Sequence, residues 1–208
     1  INIADVNASA TGELIYDFLQ KTDPERLTKE IYEAIYIAIM TDTGSFSYNN
    51  TNIACHEIAA NALKSGVETA KLHQHIYGSS SRSKVKLLAA VANNIKYDYN
   101  GKLAWFTINN DMLQKSGATK DDVDGFTDFA RAIKGVEVSL MIFEYTDGTC
   151  RINFRSKGSY SINTVAQFFG GGGHSFAAGA KVDRTLSDIV DLVLDKTIEI
   201  MKNQENIK

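Results

Sequence analysis

Apolar and polar positions follow two different rhythms along this chain, and the change falls near residue 80. Up to there the period is helical. In the stretch TGELIYDFLQ (11–20), Thr11 is placed to cap a helix, and Leu14, Ile15, Phe18 and Leu19 fall on one stripe. Beyond the single proline, Pro24, a second helix is predicted over 28–40, ending at the polar cluster TDTGSFSYNNT. A third, over 51–64, stops at Ser65-Gly66, a helix-ending signal, and a short fourth covers 69–77. No strand pattern interrupts them, so this half reads as the helical remainder of an α/β domain whose sheet lies elsewhere.

Residues 78–82 (GSSSR) are the best linker candidate, and 81–95 reads as a linker or connecting helix. The second rhythm follows. Two hairpin signals occur, Asn100-Gly101 between strands at 95–99 and 102–108, and Asp147-Gly148 between strands at 136–145 and 149–155. Helices are predicted at 110–116, 120–133 and 163–169, then a glycine run, a short strand and a last helix over 185–202. The fold class expected is α/β: a helical part over 1–80 joined by 81–95 to a mixed α/β domain over 96–208.

Charge narrows the partners. With 22 basic and 25 acidic side chains the formal net charge is −3, which excludes a broad basic surface for duplex DNA but allows a local pocket for a short anion. The two cysteines, Cys55 and Cys150, are far apart in sequence and form no CxxC pair, as expected of buried free thiols in a reducing cytosol. No apolar run is long enough to span a bilayer, so no membrane partner is expected. Residues 1–10 carry no signal-peptide pattern, and a chain opening on Ile1 reads as a fragment or processed product.

The most specific feature is Gly170-Gly171-Gly172-Gly173-His174, followed by Ser175-Phe176-Ala177-Ala178-Gly179. Four glycines cost conformational entropy on ordering, and their physical use is to bring backbone N–H groups close to an anion. A histidine directly after them can donate to the same group. The small residues at 177–179 suggest a strand packed beneath. The expectation is thus a glycine loop forming a phosphate nest. Upstream, Arg155-Ser156 closes the second hairpin, where a guanidinium suits bidentate phosphate recognition.

The pattern GGGGHxxAAG, with Arg155-Ser156 before it, resembles the DHHA1 domain of DHH-family phosphoesterases. The run Thr41-Asp42-Thr43-Gly44-Ser45-Phe46 resembles the fourth motif of the DHH domain, and residues 8–13 resemble the segment before it. The resemblance implies that Asp42 is a ligand to a two-metal centre of Mn2+ or Mg2+. It also implies that Arg155, Ser156, Gly170, Gly171, Gly172, Gly173 and His174 hold the substrate. Glu13 needs no role beyond a helix cap. The family's other ligands, an early D-x-D pair, an isolated aspartate and the Asp-His-His triplet, have no counterpart here. Asp122-Val123-Asp124 sits among helix residues, and His73 and His75 are two apart on a helix and point different ways. A lone carboxylate cannot hold two divalent ions, so this chain alone is expected to be inactive.

Among family members the motifs look closest to enzymes acting on short oligoribonucleotides and on 3′-phosphoadenosine 5′-phosphate (pAp). The partners implied are a short single-stranded RNA or small nucleotide, with a homodimer also allowed. Two rivals of the same family are a cyclic-dinucleotide phosphodiesterase and a single-strand DNA phosphodiesterase. A third, of another class, is a non-catalytic nucleic-acid-binding DHHA1 module, against which the Asp42 motif argues.

Overall fold

The computed structural model describes residues 4–5 and 7–206, so the reading of residues 1–10 lies partly outside them. The chain divides into two compact units, Ile1–Ser79 and Ser80–Lys208.

The described part of the first unit contains helices and no strand: α1 (Thr11–Thr22), α2 (Lys29–Asp42), α3 (Ile53–Lys64) and α4 (Thr69–Tyr77), with a 3-10 turn at Pro24–Arg26. Thr28 and Asn52 cap α2 and α3 by accepting from the N–H of Ile31 and Cys55. The expected cap of α1 is different. Ala10, not Thr11, is the capping position, and Glu13 closes the turn by accepting from Ser9 N at 2.8 Å and Ser9 Oγ at 2.7 Å. The core is small: Ala10, Ile35, Ile39, Cys55 and Ile58 are buried together. From α1 it is Tyr16 that packs against this cluster, and the predicted stripe of Leu14, Ile15, Phe18 and Leu19 lies outside it. Ile15 and Phe18 are about half exposed, and with Thr11 and Leu14 they line an open apolar groove.

The second unit is a six-stranded mixed sheet covered by helices, so the α/β class stands. Its helices are α5 (Arg82–Asn93), α6 (Asn110–Ser116), α7 (Phe126–Arg131), α8 (Asn163–Phe168) and α9 (Leu186–Glu205). Its strands are β1 (Lys96–Asp98), β2 (Leu103–Ile108), β3 (Val138–Glu144), β4 (Cys150–Ser156), β5 (Gly172–His174) and β6 (Ala177–Val182), in the order β1-β2-β3-β4-β6-β5. Both hairpins form where Asn100-Gly101 and Asp147-Gly148 signal them. β2 and β3 run parallel, joined by a crossover that contains α6 and α7. The helix expected over 120–133 is broken: Gly125, at φ +90°, separates a 3-10 turn at Lys120–Val123 from α7.

Alternation along the strands sends apolar side chains to both faces. On one face Leu140, Ile142, Ile152, Phe154 and Ala178 pack with Val165, Ile189, Val193 and Met201 of α8 and α9. On the other, Phe106, Met141 and Phe143 pack with Leu87, Val91, Phe126 and Ala130 of α5 and α7. Segment 81–95 is therefore part of this unit's core and not only a connection, because Leu87 and Val91 are fully buried.

A cationic cleft on the open half of the sheet

The helices of the second face cover β2 and β3 but leave a cleft over β4, β6 and the glycine run. β4, CRINFRS, alternates strictly: Cys150, Ile152, Phe154 and Ser156 are buried, while Arg151, Asn153 and Arg155 are half-buried on the opposite face. β6 meets it with Lys181, Gly179 and Ala177 in register. With β5 added, two cross-strand rows extend over three strands, Arg155–Ala177–His174 and Asn153–Gly179–Gly172. The third row is the pair Arg151–Lys181.

The cleft between these residues has a volume of about 430 Å3, and Arg151, Asn153, Arg155 and Lys181 rise from a floor of glycine and alanine. Among the described residues no carboxylate lines it. On a chain that is acidic as a whole, three cations over a floor without side-chain bulk make a locally positive surface. Arg155 is oriented from behind by Asp128 of α7, with Nε 3.6 Å from Oδ2, and its Nη1 donates to the Phe154 carbonyl at 3.2 Å. Asp128 also pairs with Arg131 at 3.0 Å, and Arg131 Nη1 donates to the Ser156 carbonyl. One carboxylate thus ties α7 to the end of β4.

The glycine run does not form the nest of successive free amides that the sequence suggests. Gly170, at φ +74°, ends α8: its N–H donates to the Gln167 carbonyl, and that of Gly171 to the Ala166 carbonyl. These are the paired bonds of a Schellman cap, so two of the four amides already have partners. Gly172 and Gly173 belong to β5, the edge strand, which pairs antiparallel with β6. The glycines are required for close approach. A Cβ on Gly171 would lie 2.1 Å from the Gly179 carbonyl oxygen, and one on Gly173 would lie 2.6 Å from that of Ala177. A Cβ on Gly172 would meet nothing within 4 Å, and this residue lines the cleft.

The other expected site residues divide. Arg155, Gly171 and Gly172 line the cleft; His174 is exposed at its margin, in the row of Arg155. Gly170 and Gly173 shape the backbone around it. Ser156 is turned inward, 2% exposed, and its Oγ accepts from Gly158 N at 3.1 Å, so its part is to set the turn after β4. The cleft residues not foreseen are Arg151, Asn153 and Lys181. Their signal was present in the polar i, i+2, i+4 alternation of β4, but the neighbour strand that supplies Lys181 cannot be read from local sequence.

In the first unit Asp42 is the exposed last residue of α2. Behind it Thr43 is buried, donating to the Ile39 carbonyl at 2.6 Å and accepting from Phe46 N at 3.0 Å. Gly44, Ser45 and Phe46 follow at φ +55°, +56° and +63°, a run of left-handed residues that is strained for the latter two. Asn50 Nδ2 donates to the Asp42 carbonyl and to that of Ser9, while Asn52 donates to Glu13. Glu13 is thus a structural acceptor that links α1 to α3. Among the described residues no group of three or more His, Cys, Asp or Glu is gathered to hold an ion. One exposed carboxylate does not by itself fit a pair of divalent cations.

Residues 100–203, which hold β2 to β6 and the glycine run, match the model of the DHHA1 domain. The chain belongs to the DHH/DHHA1 family. It is 31% identical over 196 residues to a Bacillus subtilis protein named bifunctional oligoribonuclease and PAP phosphatase, covering 90% of this chain and 61% of the relative. A Thermus thermophilus protein of the same name is 28% identical over 205 residues, covering 98% of this chain and 60% of the relative. An exopolyphosphatase-related protein from Bacteroides fragilis superposes with a TM-score of 0.91 at 28% identity, over 99% of this chain and 61% of that one. The chain thus spans about three-fifths of the length of these relatives. No helix among the described residues is long and apolar enough to cross a membrane.

Proposed function

We propose that this chain is the substrate-holding part of a phosphoesterase that acts on short oligoribonucleotides and on 3′-phosphoadenosine 5′-phosphate. The observation that carries the reading is the cleft over β4 and β6, lined among the described residues by three cations and no carboxylate, on a chain of net charge −3. The names of the Bacillus and Thermus relatives supply the substrate class. In this reading Arg155 and the exposed His174 hold a phosphoryl group, and the bare floor at Gly171, Gly172 and Gly179 lets a sugar and base lie against the sheet. Asp42 is the carboxylate that this chain would offer to Mn2+ or Mg2+, and one such group is too few, so the chain binds without hydrolysing.

The test is titration of the chain with the 5′-phosphorylated diribonucleotide pApA in the presence of Mn2+. Amides of β4 and β6 are expected to shift, with no release of mononucleotide. Arg155→Gln should lower affinity about tenfold or more, since a hydrogen bond to a charged partner contributes about 1.5–3 kcal/mol. Hydrolysis by the chain alone, or unaltered amides on β4 and β6, would overturn the reading.

A further inference from the structure

Arg151 and Lys181 stand directly opposite each other on β4 and β6, and like charges in that position destabilise a sheet. Their neighbours compensate them weakly. Arg151 Nε donates to Asn153 Oδ1 at 2.9 Å, and its Nη2 lies 3.9 Å from Asp124, a side chain 72% exposed and therefore strongly screened. Lys181 Nζ sits 5.4 Å from the centre of the Tyr145 ring. The carboxylate on its side, Asp147, accepts from Thr149 N and Oγ1 inside its own turn. A pair of cations held together at one end of an open cleft is an arrangement that a bound anion relieves.

Resting on the cleft as a nucleotide site, we infer that Arg151 and Lys181 form a second phosphate position, distinct from the one at Arg155 and His174. Arg151 and Arg155 are four residues apart on one strand, hence about 13 Å apart between Cα atoms. A single phosphate at Arg155 leaves the far pair unengaged, whereas a ligand with two phosphoryl groups separated by a nucleoside can reach both. The row between them, Asn153–Gly179–Gly172, has one short side chain and two glycines. That leaves room for the sugar and base linking two phosphates. Arg151 and Lys181 are thereby the residues that favour a dinucleotide over a mononucleotide.

The experiment compares binding of AMP and of pApA to the chain, to the double variant Arg151→Gln/Lys181→Gln and to Arg155→Gln, with matched melting temperatures as the check on folding. The double variant is expected to lose about tenfold in affinity for pApA and less than threefold for AMP. The slope of log affinity against log salt should become shallower by about 0.7 for each phosphate that is no longer neutralised. Arg155→Gln should weaken both ligands. If the double variant weakens AMP as much as pApA, or neither, while Arg155→Gln remains damaging, the second position is wrong and the cleft reading stands. If the unaltered chain binds neither ligand, or Arg155→Gln has no effect on either, the cleft reading falls and this inference with it.

Discussion

Gly171, Gly172 and Gly173 are indistinguishable in the sequence, yet each is held by something different. A side chain at 171 or 173 runs into the backbone of β6, whereas one at 172 enters the open cleft. Gly171→Ala and Gly173→Ala should each destabilise the chain by about 1–3 kcal/mol or more, seen as a lower midpoint in urea, because β5 must move off β6. Gly172→Ala should stay within about 0.5 kcal/mol of the unaltered chain in stability and lose affinity for pApA instead. A lowered midpoint with unchanged affinity at 172 would sink the assignment of that glycine to the ligand. That glycine was needed here could be read from four in a row; what it was needed for could not. A sequence shows the permissive residue, but only the neighbouring strand shows whether that permission serves a close backbone approach, a helix cap or a ligand.

At the level of elements, β4 announces itself by its strict alternation and α8 by its glycine stop, while the end of α9 holds a feature that no local pattern signals. Glu205 accepts from Lys102 Nζ at 2.7 Å, from Tyr99 and from Tyr160, joining the last turn of α9 to the β1–β2 turn and to the residues after β4. The Lys102 ammonium beside it, with the two phenols, holds its carboxyl down at about 2. The folded-state value lies below the ordinary one of about 4.3, so the contribution to stability is complete above that value and is lost as the pH falls towards 2. The melting temperature should therefore decline below about pH 4.5, and Glu205→Gln should lower it at pH 7 and flatten that decline. An equal acid decline in the variant would show that other carboxylates carry it. The partners of Glu205 lie 45 to 106 residues away along the chain, so its charge in the sequence reads only as a helix-end residue.

For the whole molecule, the two hydrophobic clusters of the sheet lie entirely within residues 80–208, and α5 contributes Leu87 and Val91 to one of them. A chain of residues 80–208 should fold cooperatively by itself and bind pApA as the full chain does. A chain of 96–208 loses both buried side chains and should be less stable by about 3–6 kcal/mol, as measured by chemical denaturation. Equal stability of the two would show that α5 is a connector and no part of the core. Periodicity and turn residues by themselves determined the α/β class, both hairpins and most helices, since each depends on residues close in sequence, and the glycine–histidine run marked the segment that borders the cleft. Only the tertiary structure decided that the glycine run is a cap and an edge strand, that Ser156 turns inward, and that Arg151, Asn153 and Lys181 join Arg155 over one floor. Those outcomes depend on which strand lies beside which, and strand pairing is settled by packing between distant segments, which local sequence does not encode.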